Sequence, residues 1–234
     1  GCQPLITDAS RQTSCKTRII AQRQQVVRVD RETRNDVEPR LAKRLAKSIA
    51  NGLAEANALI IGDYGKGVIT QNFLDELKVL GRRHNAWLSL DPKPIHSLDL
   101  RGLSLITPNR KEAFELAGIS DTTRHKQPLK DKNLMRVAKQ LLGTLELNVL
   151  LITLGELGML VCEPDKKPFH IHTLAREVFD VSGAGDTVIG TFTLAIAAGA
   201  APNEAAMLAN HAAGVVVGKL GTATVTPKEL LASF

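Results

Sequence analysis

Short apolar runs alternate with longer amphipathic stretches along most of the chain. Two β-branched runs, 17–20 and 26–29, are joined through Gln and Arg and predict a hairpin or two short edge strands within residues 16–32. Residues 38–53 repeat Leu41, Leu45 and Ile49 at helical spacing behind Pro39, which predicts an amphipathic helix. ALIIGDYGKG (58–67) reads as a buried strand ending in a polar, glycine-containing loop. A helix is expected over 71–84, a strand in AWLSLDPK (86–93) and another in LSLITPN (103–109). Helices over 110–118 and 130–143 follow, then a strand, a glycine turn and a second strand in LNVLLITLGELGMLVCE (147–163). HIHTL (170–174) and the run 177–181 are further short strands. Helices near 184–200, 203–218 and 227–233 complete the pattern.

Strands alternating with helices predict an open, largely parallel α/β sheet covered on both faces. Four predicted strands end in polar residues: Gly62-Asp63-Tyr64, Asp91-Pro92-Lys93, Thr107-Pro108-Asn109 and Thr153-Leu154-Gly155. Ligands of open α/β sheets bind along these C-terminal ends.

Composition narrows the field modestly. The 234 residues suffice for one large or two small domains. Aromatic residues make up 3% of the chain, which argues against a single-strand nucleic-acid binder built on stacking. The net charge of +6 is concentrated in residues 1–48, a patch that suits a phosphorylated small molecule, a nucleic acid or simply solvent. Three cysteines without paired spacing fit neither a disulfide framework nor a zinc site, and predict a reducing, cytoplasmic setting. No apolar stretch is long enough to predict a membrane span, and the first residues lack the apolar core of a signal peptide. The chain opens on Gly1 rather than Met, as a processed or partial chain would.

The densest chemistry lies in DVSGAGDTVIGTF (180–192). Gly183 and Gly185 allow successive amides to point into one concavity, and the helix that follows adds its own unsatisfied N–H groups. Such a nest suits an anion spread over several oxygens, for example a phosphoryl group in transfer. Asp186, in the first helical turn, is placed to accept a proton from a substrate hydroxyl. A plain glycine turn with Asp186 near the helix start would look the same locally. Neither GxGxxG nor GxxxxGK[ST] occurs, so a phosphate site here has another design.

With its context, this segment resembles the D-x-[ST]-GAGD signature of the ribokinase-like carbohydrate kinases. Asn109-Arg110-Lys111-Glu112 resembles the N-x-x-E element of that family, Thr153-Leu154-Gly155-Glu156-Leu157-Gly158 its nucleotide-cradling turn, and Asn210 with its small-residue helix the wall against the adenine. KTRIIAQRQQVVRVD, IIGDYGKGVIT, DPK, LITPNRKEAFE and VVVGKLGTATVTPKEL further resemble the branch that acts on heptose 7-phosphate, and the likeness spans residues 14–231.

The resemblance implies a three-layer α/β/α fold with a largely parallel central sheet and a small β lid formed by residues 14–32. It also implies that the opening strand and GG-containing segment of the family, 80–100 residues, are absent, as is any adenylyltransferase domain. The implied activity is transfer of phosphate from ATP, with Mg2+, to the anomeric hydroxyl of a heptose 7-phosphate. Asp186 would be the general base, with Gly183, Ala184 and Gly185 as the anion hole. Asn109, Arg110, Lys111, Glu112, Thr153, Gly155, Gly158 and Asn210 would meet the nucleotide. Asn109 and Glu112 would organise Mg2+ through water, although Asn-x-x-Glu is also the pattern of a helix capping box. Asp63, Lys66, Lys93, Lys16 and Arg18 would meet the sugar or a phosphate. Tyr64 and Trp87 are expected to pack, His170 and His172 to lie at the surface or an edge, and His211 to touch the adenine or the core.

The expected partners are a sugar phosphate and ATP, with a homodimer through paired lid strands and no nucleic acid or membrane. Another sugar, sugar phosphate or nucleoside as acceptor is the alternative within the family. A non-catalytic binding module is the alternative outside it.

Overall fold

The computed structural model describes residues 5–21, 24–95, 97–174 and 179–234. A two-stranded antiparallel hairpin, β1 (Cys15–Ala21) and β2 (Gln24–Arg31), stands apart from the main sheet. Ile19, Val26, Val27 and Val29 on it are exposed. The two β-branched runs of the sequence form its arms.

The main sheet has six strands in sequential order: β3 (Ala58–Gly62), β4 (Trp87–Asp91), β5 (Leu105–Ile106), β6 (Val149–Thr153), β7 (Met159–Cys162) and β8 (Phe169–Ile171). β3 to β6 are parallel, and β7 and β8 are antiparallel to their neighbours. Period-two alternation sorts the side chains between two cores. Leu88, Leu90, Ile106, Leu150, Ile152 and Leu160 face one cluster with helices α1 (Pro39–Leu53), α2 (Gln71–His84), α3 (Arg110–Ala117) and α4 (Lys132–Thr144). Leu105, Val149, Leu151, Met159 and Val161 face another with α5 (Ala184–Ala197) and α6 (Pro202–Val217). This is the three-layer α/β/α arrangement, and a short α7 (Pro227–Leu231) closes the chain.

Regular structure departs from the predicted bounds at several places, among them β8, expected over 170–174, and α7, expected over 227–233. The strand predicted over 103–109 is only two residues long, because Pro108 has no amide to donate. Pairing nevertheless continues as an isolated parallel bridge between Asn109 and Thr153. The predicted helix 184–200 ends at Ala197, before Gly199 at φ 95°. In the run 177–181, residues 179–181 are irregular and 177–178 lie outside the described residues. No helix among the described residues is long and apolar enough to cross a membrane.

Candidate active site

The C-terminal ends of β3, β4 and β6 meet the N-terminus of α5. Gly183 caps α5 in the left-handed region at φ 83°, a conformation that a side chain would strain. The turn is held by the Asp180 carboxylate, which accepts from the Ser182 amide at 2.9 Å. That bond, with a further one from the Ser182 hydroxyl and smaller contributions from the Gly221 amide and the charge of Arg18, keeps Asp180 below the ordinary carboxylate range. Ala184 and Gly185 open onto a cavity of about 500 Å³ whose other walls include Thr153, Gly155, Gly158 and Asn210. The sequence-predicted nucleotide residues on the turn after β6 and on α6 therefore converge on one space with the glycine turn. Buried Asn210 is fixed there by donating from Nδ2 to the His172 carbonyl at 2.8 Å.

Gly183 and Asp186 face a second cleft, of about 700 Å³, bordered by residues 222–227. Asp186 accepts a hydrogen bond from the Tyr64 hydroxyl at 3.1 Å. The sequence suggests only packing for Tyr64. Its place at the end of β3 beside Asp63 is the one signal that points to more.

Beneath these residues lies a charged group at the ends of β4 and α3. Asn109 caps α3 in a full capping box: its Oδ1 accepts from the Glu112 amide at 3.0 Å, and Glu112 Oε2 accepts from the Asn109 amide at 2.9 Å. Glu112 Oε1 accepts from Lys93. Burial pulls the Lys93 ammonium down, but its bond to Glu112 and the surrounding carboxylates leave it raised overall. Asp91, which the sequence marks only as a polar strand end, is pushed up to about 6. Burial is the main cause, followed by the charge of Glu112. Lys93 offsets part of the shift, and Asp186 adds to it. Asp63 is buried, with Oδ1 accepting from the Gly65 amide at 2.8 Å.

Other expected residues point elsewhere. Arg110 is held between Asp121 and Asp131 and lies over the Phe114 ring, so it does not line the cavity. Lys111 is exposed and pairs with Glu115 at 3.7 Å along its own helix. Lys66 pairs with Glu32 beside the hairpin. Arg110 is thus committed to ion pairs beside α3, whereas the long pair of Lys111 leaves its ammonium largely in solvent. Lys16 and Arg18 sit on the exposed hairpin. His170 packs edge-on against His172 on β8 and the segment after it. His211 stacks on Phe234 instead of lining the cavity.

Among the described residues no group of three His, Cys, Asp or Glu side chains is gathered to hold a metal ion. Both oxygens of Glu112 are already engaged, so the fit is to a water-separated Mg2+ rather than to a protein cage.

Comparison with known proteins agrees with this geometry. A model of the pfkB family carbohydrate kinases matches residues 2–229. The bifunctional protein HldE of Desulfatibacillum aliphaticivorans is 41% identical over 231 residues, covering 98% of this chain and 46% of that protein. HldE of Geotalea uraniireducens is 43% identical over 227 residues, covering 97% and 45% respectively. The chain thus spans about half the length of the curated relatives it matches. Among solved structures, ribokinase from Giardia lamblia superposes with a TM-score of 0.75 at 20% identity, covering 97% of this chain and 72% of that one. Arabidopsis thaliana ribokinase, complexed with ribose and ATP, gives 0.71 at 17% identity, with 95% and 69% covered.

Proposed function

Because the chain belongs to the pfkB family of carbohydrate kinases, we propose that it phosphorylates the anomeric hydroxyl of D-glycero-β-D-manno-heptose 7-phosphate, giving the 1,7-bisphosphate for lipopolysaccharide precursor synthesis. The sugar assignment rests on the heptose-kinase-like segments and the 41–43% identity to proteins named HldE. One observation carries the chemistry: Asp186 stands one residue beyond a glycine turn that opens onto the cavity lined by Thr153, Gly155, Gly158 and Asn210.

In this reading ATP lies in the 500 Å³ cavity with its phosphates toward the first turn of α5 around Gly185, the Ala184 amide itself donating to the Val181 carbonyl at 3.2 Å. The sugar oxygen attacks the γ-phosphorus, the bond to the β-phosphate oxygen breaks and ADP leaves. The hydroxyl proton passes to the Asp186 carboxylate. The α5 amides oppose the charge that develops on the transferred group. Mg2+, when bound with the nucleotide, neutralises phosphate charge, and Glu112 and Asn109 would hold its water shell. The exposed apolar side chains of the hairpin support a homodimer formed through it.

The test is ADP release with ATP, Mg2+ and a panel of heptose 7-phosphate, fructose 1-phosphate, fructose 6-phosphate and ribose. Heptose 7-phosphate should be preferred. Asp186→Asn should reduce turnover by about a thousandfold or more with ATP affinity within about twofold. Preference for another sugar would overturn the acceptor alone. A fully active Asp186→Asn would overturn the role of Asp186.

A further inference from the structure

Tyr64 is the single tyrosine of the chain, and it reaches Asp186 from 122 positions away in sequence. The loop that carries it is fastened on its far side to residues 32–37, which join the hairpin to α1. Lys66 pairs with Glu32, and the Arg11 guanidinium donates to the carbonyls of both Lys66 and Asn35. The Val37 amide donates to the Gly67 carbonyl at 2.7 Å. The approach at Gly67, φ 72°, is close enough that a Cβ would stand 2.2 Å from the Asn35 carbonyl oxygen. On its near side, the loop is turned by the Asp63–Gly65 bond.

We propose that Tyr64 is a positioning residue for Asp186, holding Oδ1 so that Oδ2 faces the acceptor hydroxyl, and that the connecting segment 32–37 keeps Tyr64 in place. The proposal rests on Asp186 being the proton acceptor. A carboxylate on the exposed first turn of a helix rotates freely about two bonds, and one charge-assisted O–H···O bond removes much of that freedom. The phenol can orient the base without competing for the proton. Its own ionisation is held above the ordinary value of 10.0 by burial and then by the charge of Asp186.

A lone tyrosine makes this directly measurable, since phenolate absorbance in the 234-residue chain reports Tyr64 only. Asp186→Asn should move the titration midpoint down toward the ordinary value. In kinetics, Tyr64→Phe should lower kcat by about tenfold or more with KM for ATP within about twofold. Glu32→Gln, which removes the ion pair to Lys66, should lower kcat when Tyr64 is present and add nothing to Tyr64→Phe. An unchanged Tyr64 midpoint in Asp186→Asn, or wild-type kcat in Tyr64→Phe alongside an inactive Asp186→Asn, would overturn the positioning role and leave the base assignment standing. Full activity of Asp186→Asn would remove the base assignment, and the positioning role with it.

Discussion

The Lys93 ammonium donates to Oε1 of Glu112 at 2.5 Å while Oε2 of the same carboxylate accepts the Asn109 amide at 2.9 Å. One side chain thereby caps α3 and ties it to the end of β4. The capping box and the functional account of Asn-x-x-Glu are compatible, because the cap is what aims Glu112 at Lys93 and brings its charge near Asp91.

Asp91 should leave a signature in the pH dependence of stability. Unfolded, its carboxyl titrates near 3.8, and in the fold near 6. Between these values the folded state holds the extra proton. The contribution of Asp91 is therefore most favourable below pH 4 and is lost as pH rises through 6. The loss is on the order of 2–3 kcal/mol, from about 1.4 kcal/mol per unit. Asp91→Asn, which cannot titrate, should gain on the wild type by that amount between about pH 4 and pH 7.5. Urea unfolding followed by the fluorescence of Trp87, the one tryptophan, measures it. A difference that is flat with pH would refute the expectation.

Arg110 should prove structural. Its guanidinium faces Asp131, whose side chain is 1% exposed. Burial by itself would raise that carboxyl, but bonds from the Leu134 amide, Thr123 and Arg110 hold it lowered. Arg110→Met removes the cation and should cost about 3 kcal/mol in denaturant unfolding. KM for ATP should stay within about twofold of wild type, and a tenfold rise would return Arg110 to the nucleotide site.

Two glycines of one turn should differ sharply. Gly158 has φ 83°, and a Cβ there would lie 2.0 Å from the Ile171 carbonyl oxygen. Gly155 has φ 61°, and a methyl placed on it would meet nothing within 4 Å. Gly155→Ala should cost about 1–2 kcal/mol from backbone strain alone. Gly158→Ala should cost distinctly more, because β8 must shift away from β7. Thermal melts of the two variants decide it, and equal losses would contradict the geometry.

Asn210 should matter to both fold and nucleotide. Replacing it with Ala leaves the His172 carbonyl without its donor and costs about 1–3 kcal/mol. Because Asn210 also walls the cavity, calorimetric ATP affinity should fall as well. Weakened stability with unchanged affinity would make it a structural residue only.

Much of this molecule is legible in the sequence where the signal is local. The apolar stretches around Leu88, Ser89 and Leu90, and from Val149 to Ile152, announce strands buried on both faces, and β4 and β6 form there. The glycine turn at 183–185, the cap at Asn109 and the cavity-lining residues Thr153, Gly155, Gly158 and Asn210 each lie within or beside a short recognisable motif. Tyr64 escapes such a reading because nothing near it in the chain indicates a distant carboxylate. Arg110 sits in a nucleotide-like motif, but its two carboxylate partners, Asp121 and Asp131, lie beyond that motif and are invisible to a local reading.

Backbone periodicity and nearest-neighbour sterics are written along the chain. They suffice for the order of strands and helices, the two-faced burial of the sheet and the polar residues at strand ends. Which of those polar groups meet is a matter of packing in three dimensions. Tyr64 touching Asp186, Lys93 reaching Glu112 and Lys66 turning to Glu32 each join separate elements of the fold. Side-chain charge and hydrogen bonding act over a few ångströms, and the chain brings those distances about only after it has folded.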